Sequence, residues 1–153
     1  MKIHLLERSQ IVPVPLSEVF PFFAAPENLE AITPKTLGMR IITPGPLEMR
    51  AGAVFDYVVT MRGLPMRWTT LITQYDPPHS FVDLQLKGPY SFWHHTHRFE
   101  DLGNGQTRLI DEVRYALPFG PLGEVAHALF VKRDLEAIFA FRREFITQRY
   151  GQV

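Results

Sequence analysis

Gly88-Pro89-Tyr90-Ser91-Phe92-Trp93-His94-His95-Thr96-His97-Arg98-Phe99-Glu100 carries three of the chain's six histidines in a run with the composition of a β-strand. Taken with a period of two, it places Trp93, His95, His97 and Phe99 on one face and Phe92, His94, Thr96 and Arg98 on the other. Tryptophan and phenylalanine mark the first face as interior, so two imidazoles enter an otherwise apolar space. Such groups need partners or a ligand, because a buried polar group left unpaired costs about 1–3 kcal/mol.

Turn signals bound the run on both sides. Lys87-Gly88-Pro89 precedes it and Gly103-Asn104-Gly105 follows, and similar punctuation recurs at Gly63-Leu64-Pro65 and Asp76-Pro77-Pro78. Five strands result: Ala53–Arg62, Met66–Tyr75, Phe81–Leu86, Tyr90–Glu100 and Thr107–Leu117. Connections this short join antiparallel neighbours. Lys2–Val12 and Met39–Thr43 bring the sheet to seven strands. Ser17–Ala24 and Glu27–Ile32 read as short helices, with Pro26 at a favoured first helical position and Pro34 closing the pair.

From Pro118-Phe119-Gly120-Pro121 to Gly151 the chain reads as helical. Leu122, Val125, Ala126 and Leu129 form one apolar stripe; Leu135, Ile138, Phe139, Phe145 and Ile146 form another, rotated away from it. One straight helix cannot turn both stripes to a sheet. A kink, a π-bulge or two abutting helices is expected around Val131–Asp134.

Alternation assigns the remaining inner face: Phe55, Tyr57, Val59 and Met61; Trp68, Thr70 and Ile72; Phe81, Asp83 and Gln85; Leu109, Asp111, Val113 and Tyr115. Asp83, Gln85, His95, His97 and Asp111 are too many polar groups for an ordinary core, and they suit a cavity wall. Val82, Leu84 and Leu86 also alternate, so the opposite facing of residues 81–100 stays open. The first facing is favoured because Tyr57, Trp68, Trp93 and Phe99 then converge beneath the last helix.

Composition narrows the function classes. With 153 residues, 46% hydrophobic and 21% charged, residues 1–153 suit a single domain able to bury a core. Sixteen basic residues balance sixteen acidic ones, which disfavours nucleic acid as a partner. Arg62, Arg67, Arg98, Arg108 and Arg114 fall on the outer face with Asp56, Glu100 and Glu112, as a mixed solvated surface does. The chain contains no cysteine, which removes disulfides, thiolate catalysis and Cys-ligated metals. Met1-Lys2-Ile3-His4-Leu5-Leu6-Glu7-Arg8 lacks the pattern of a secretory signal, and no apolar segment has the length of a membrane span. A cytoplasmic protein without stable membrane insertion is expected; the oligomeric state is left open.

His95-x-His97 is a spacing at which one strand can offer two ligands to a metal, with Asp83 or Asp111 completing the shell. Histidines satisfied by those aspartates in a cavity wall are the favoured reading, and neither metal nor cofactor is expected. His97 with Asp111 is the best candidate acid–base pair, and Tyr115 could supply a phenolic donor. No nucleophile elbow, phosphate-binding loop or dinucleotide fingerprint is present. Arg133 follows the stripe of Leu122, Val125 and Leu129 and could meet an anionic ligand; snorkelling or capping the helix break is the plainer role. The Pro- and Gly-rich segment Thr43–Arg50, with Leu47 and Met49, reads as a lid or as an ordinary surface loop.

Several segments together resemble the START-like superfamily, also called Bet v 1-like or SRPBCC. They are Pro15-x-x-Glu18-Val19-Phe20, Pro26-Glu27-Asn28-Leu29, Ile32-Thr33-Pro34, Trp68-x-x-x-Ile72 and Asp76-Pro77-Pro78-x-x-Phe81-Val82-Asp83, followed by Gly88-Pro89-Tyr90-x-x-Trp93-x-His95-x-His97-x-Phe99 and Asp111-Glu112-Val113-x-Tyr115. The chain is similar to small bacterial members of the polyketide cyclase/dehydrase and coenzyme-Q-binding branches. The resemblance implies an α+β helix-grip fold: a seven-stranded curved antiparallel sheet, two short helices and a long C-terminal helix over the concave face. It further implies an internal tunnel for lipids, quinones or polyketides, but no particular reaction. The expected partner is a small hydrophobic or amphipathic molecule, bound, sequestered or transferred. Tyr57, Trp68, Trp93 and Phe99 would wall it, while Asp83, Gln85, His95, His97, Asp111, Tyr115 and Arg133 would meet its polar end. A cyclase or dehydratase working through His97 and Asp111 is the alternative.

Overall fold

Each turn signal returns the chain beside the strand it has just left, and the computed structural model, which describes Met1–Val153, shows the meander this produces. The strands are β1 (His4–Val12), β2 (Arg40–Ile41), β3 (Val54–Met61), β4 (Leu64–Asp76), β5 (Ser80–Lys87), β6 (Phe92–Gly103) and β7 (Gln106–Ala116). They form one sheet in the order β1-β7-β6-β5-β4-β3-β2, every pair antiparallel. Only β1 departs from sequence order, pairing with the edge that β7 would otherwise leave free. Register slips at Thr69/Thr70 and Ile72/Gln74 mark irregularities along β4.

Helix α1 (Leu16–Phe23) buries Leu16, Val19 and Phe20 against one end of the sheet. The expected second helix is instead a 3-10 turn over Pro26–Leu29, since so short a run cannot offset helix nucleation. The expected strand over Met39–Thr43 contracts to two residues. Ile42 and Thr43 both donate to the Asp56 carbonyl, and Thr43 Oγ1 takes the Asp56 N–H, so the ladder ends there.

The C-terminal helix does change phase, one turn earlier than expected. It consists of α2 (Gly120–Ala126), a π turn (His127–Val131) and α3 (Lys132–Tyr150). The π turn adds residues to one revolution and rotates everything after it. Leu135, Phe139 and Ile146 are buried as the second stripe requires, but Leu122, Val125 and Leu129 are 75%, 55% and 67% exposed. The expectation that the first stripe packs against the sheet is therefore corrected. Glu124 and His127 turn toward the sheet instead, meeting His4 of β1 and Tyr115 of β7, and Gly123 packs on the turn before the helix. A Cβ there would lie 2.0 Å from the Pro118 carbonyl oxygen, so α2 seats directly on the preceding backbone. Gly123→Ala is expected to destabilise the protein by about 3 kcal/mol in urea unfolding, because the obstacle is backbone that cannot swing aside.

The outer face of the sheet carries the mixed charge that alternation places there, with Arg67–Asp56, Arg108–Glu100 and Arg114–Glu112 pairs at 3.0, 3.2 and 2.8 Å.

Candidate functional site

Between the concave face of the sheet and α3 lies a cavity of about 160 Å³, lined by 29 residues of which 21 are hydrophobic. That is the size at which an apolar void accepts a benzene-sized ring. β3 supplies Phe55, Tyr57, Val59 and Met61, and β4 supplies Trp68, Thr70 and Ile72, all by the period-two rule. Trp68 stands edge-on to Trp93 at 5.2 Å and stacks on Tyr57 at 5.9 Å, giving one aromatic wall. Phe81, Asp83, Trp93, His95 and His97 also line the cavity, so the favoured facing of residues 81–100 is the observed one. Met49, from the loop read as a possible lid, reaches the cavity, while Leu47 packs beside Ala53, Phe55 and Ile72.

One wall is polar. β-sheet register sets His95 opposite Asp83 and His97 opposite Asp111. The hydrogen bonds run along the other diagonal: His97 Nε2 to Asp83 Oδ2 at 2.6 Å and His95 Nε2 to Asp111 Oδ1 at 2.7 Å. His97 Nδ1 and Asp111 are 3.6 Å apart, so the His97–Asp111 pairing expected from sequence is corrected to His97–Asp83 and His95–Asp111. The imidazoles stack at 3.7 Å, and Phe81 covers the other side of His97 at 4.1 Å. Arg142, reaching down from α3, donates from Nη1 to Asp111 Oδ1 at 3.0 Å.

Burial lowers the His97 pKa to about 4, with the neighbouring His95 acting in the same direction, so this ring is neutral near pH 7. Burial opposes ionisation of Asp83 and Asp111. Both nevertheless stay below the usual carboxylate range, Asp83 through His95 and His97 and Asp111 chiefly through Arg142. An ionised carboxylate only accepts hydrogen bonds. Each imidazole therefore donates from Nε2, which leaves the Nδ1 of neutral His97 with a free lone pair.

Five residues expected at the ligand are placed elsewhere. Gln85 clamps the β5–β6 turn, donating to the Tyr90 carbonyl at 2.8 Å and accepting the Tyr90 N–H at 3.2 Å. Its side chain fills the space above Gly88, where a Cβ would meet Gln85 Oε1 at 2.5 Å. Phe99 packs on Phe20 and Phe23 at 5.0 and 5.7 Å, in the core beneath α1. Tyr115 lies 2.7 Å from His127 Nε2, on the π turn and away from the cavity. Arg133 is exposed, because the π turn rotates it outward. The arginine at the cavity is Arg142, 7% exposed. Its signal was present in the sequence: Leu135, Phe139, Arg142 and Ile146 are spaced as one buried helical stripe. Asp111 meets the network from behind, in a side groove between β1 and α3 that also reaches Arg142.

A family model described as polyketide cyclase/dehydrase and lipid transport matches residues 4–141. The chain belongs to this family. No curated protein matches the sequence itself. Among solved structures, a protein from Thermus thermophilus superposes with a TM-score of 0.71 at 16% identity, over 95% of this chain and 99% of that one. The Zhui aromatase/cyclase from Streptomyces sp. R1128 gives 0.69 at 18%, over 99% and 100%. A START superfamily protein from Mycobacterium smegmatis gives 0.70 at 13%, over 95% and 99%. At such identities the likeness is one of fold: this polyketide cyclase/dehydrase family member has the START-like helix-grip architecture.

Two features of this family member bear on chemistry. Trp68 Nε1 and Arg142 Nε are buried in the cavity wall without a hydrogen-bond partner in the protein. Asp83, His95 and His97 place donor atoms within 4.8 Å of one another, the set a divalent cation would use. Both Nε2 atoms of that set are committed to carboxylates, so holding a cation would require both imidazoles to reorient. No helix is long and apolar enough to cross a membrane.

Proposed function

We propose that the protein binds a compact, ring-sized apolar molecule bearing at least one oxygen acceptor, and that it sequesters or transfers this molecule. The observation that carries the reading is the pair of unpartnered N–H donors, Trp68 Nε1 and Arg142 Nε, buried in the wall of a largely apolar cavity and within reach of a ligand oxygen after a small side-chain rotation. Each loses its hydration on burial, and a carbonyl or phenolic oxygen restores the missing hydrogen bond. The aromatic wall of Tyr57, Trp68 and Trp93 suits a flat ring.

Naphthoquinone and naphthalene differ only in the carbonyl oxygens, and calorimetric titration of both tests the reading. Naphthoquinone is expected to bind about fivefold or more tightly than naphthalene, and Trp68→Phe should remove most of that margin. Equal affinities for the two probes, or no binding of either, would count against it. Native mass spectrometry of protein taken from its own cells would then identify the resident molecule.

A second reading is favoured by the neutral His97, whose Nδ1 retains its lone pair while Asp83 fixes the ring. Such a group can remove a proton from a bound carbonyl compound, as cyclisation or dehydration demands. Under this reading His97→Gln abolishes turnover and leaves ligand affinity within about threefold; under the carrier reading no turnover of bound ligand is seen.

A further inference from the structure

The helix is inside out around its π turn. Phe119, Leu122, Val125 and Leu129 are 81%, 75%, 55% and 67% exposed, while Glu124 and His127 of the same segment are half-buried. The polar side is held inward by β1 and β7. His4 meets Glu124 at 3.1 Å and stacks on His127 at 3.6 Å, and Tyr115 Oη lies 2.7 Å from His127 Nε2. Gly123 rests on the Pro118 backbone without room for a Cβ, so the segment cannot roll to bury its leucines. Phe119 adopts φ 70, a left-handed conformation costly for a bulky residue, and from there projects its ring outward. Apolar groups kept outward against burial and backbone preference fit an apolar medium.

Charge decides which one. Lys132 and Arg133 follow Leu129 on the next turn, both exposed and neither in an ion pair. Of the nearby carboxylates, Glu124 is held by His4 and Lys2 and Asp134 by Arg62, while Glu136, in no ion pair, borders the side groove beside β1. We propose that residues 119–133 form a docking face for an anionic lipid bilayer. Phe119, Leu122, Val125 and Leu129 enter the interfacial zone, and Lys132 and Arg133 sit at the level of the lipid phosphates. A second copy of the chain fits less well, because a two-fold contact brings both Lys132–Arg133 pairs into the same interface. The same helix goes on to line the cavity from its inward side, through Leu135 and Ile138. It depends on no cavity ligand and so goes beyond the binding reading.

Flotation of the full chain with phosphatidylcholine vesicles, with and without about one-third phosphatidylglycerol, tests the proposal. Anionic vesicles should capture the protein about tenfold or more better than neutral ones. Lys132→Gln with Arg133→Gln should lower capture by the anionic vesicles about tenfold or more. Leu122→Ser with Leu129→Ser should remove it. Both pairs are exposed, so the melting temperature should hold, and His97→Gln should float like the native chain. A native protein that floats with neither vesicle overturns the proposal, as does unchanged flotation of the leucine variant. A dimer in light scattering that becomes monomeric in the leucine variant would assign the face to a second copy and overturn it as well.

Discussion

Replacing Arg142 with methionine is expected to cost about 3–5 kcal/mol of unfolding free energy at neutral pH, measured by urea denaturation. Methionine keeps the helix propensity and most of the length of the side chain, so the loss reports the guanidinium. Arg142 is 7% exposed and is the first cause holding Asp111 ionised. Without it, Asp111 keeps only the His95 hydrogen bond, and a second carboxylate, Asp83, stands across the same two imidazoles. Adding Asp111→Leu to Arg142→Met should recover more than half of the loss, because it removes the stranded charge and leaves His95 Nε2 as the one group short of a partner. A cost below about 1 kcal/mol for the single variant would show that Arg142 is not the counterion of Asp111 in solution.

Acid should weaken the fold well above the carboxylate range. An unfolded chain protonates residue 97 near its ordinary value of 6.5, whereas the folded ring resists until about 4. Between those values the unfolded state binds more protons, so stability falls as pH falls, by about 3 kcal/mol in total for this group. The groups facing His97 are Asp83 on β5, His95 on β6, Asp111 on β7 and Arg142 on α3, with Phe81 over the ring. Asp83 and Asp111 have depressed values, so their contribution is complete above 3.8 and is lost only as pH drops below that. His97→Gln keeps an N–H for Asp83 and does not titrate. Its unfolding free energy should be flatter by that amount between pH 6.5 and 4 than the native chain's, as determined by urea titrations across the interval. His127, also lowered, contributes in the same sense to both proteins and cancels from the difference.

Much of the cavity wall was legible because strand parity is a local property. Once Trp93 is placed inward, His95 and His97 must follow, and Asp83 arrives on the neighbouring strand by the same rule; Asp111 has that facing too but meets the network from the side groove. Parity says which face a residue takes and not how far along the groove it sits. Phe99 and Tyr115 share the inner face with His95, yet one lies beneath α1 and the other beside the π turn. Gln85 has the right face as well, but the turn it follows lies within reach of its amide and claims it. Parity likewise could not choose between hydrogen-bond diagonals, which is why His97 paired with Asp83 and not with Asp111.

The helix shows the same division. A phase break was readable from two stripes that no straight helix can align, yet its position and the face it buries were not. Both depend on Gly123 meeting the Pro118 backbone and on His4 crossing from β1 to hold Glu124 and His127 inward. By itself, the sequence determined the order of the five meander strands, a favoured facing for them and the presence of a polar wall in an apolar sheet, since turns and alternation act between near neighbours; the pairing of β1 with β7 joins the two ends of the chain and is not local. The tertiary structure alone decided that Arg142 and not Arg133 reaches the cavity, which imidazole meets which carboxylate, and that Leu122, Val125 and Leu129 face outward. Those outcomes arise where segments distant in the chain compete for the same space and the same hydrogen bonds, and no local period encodes that competition.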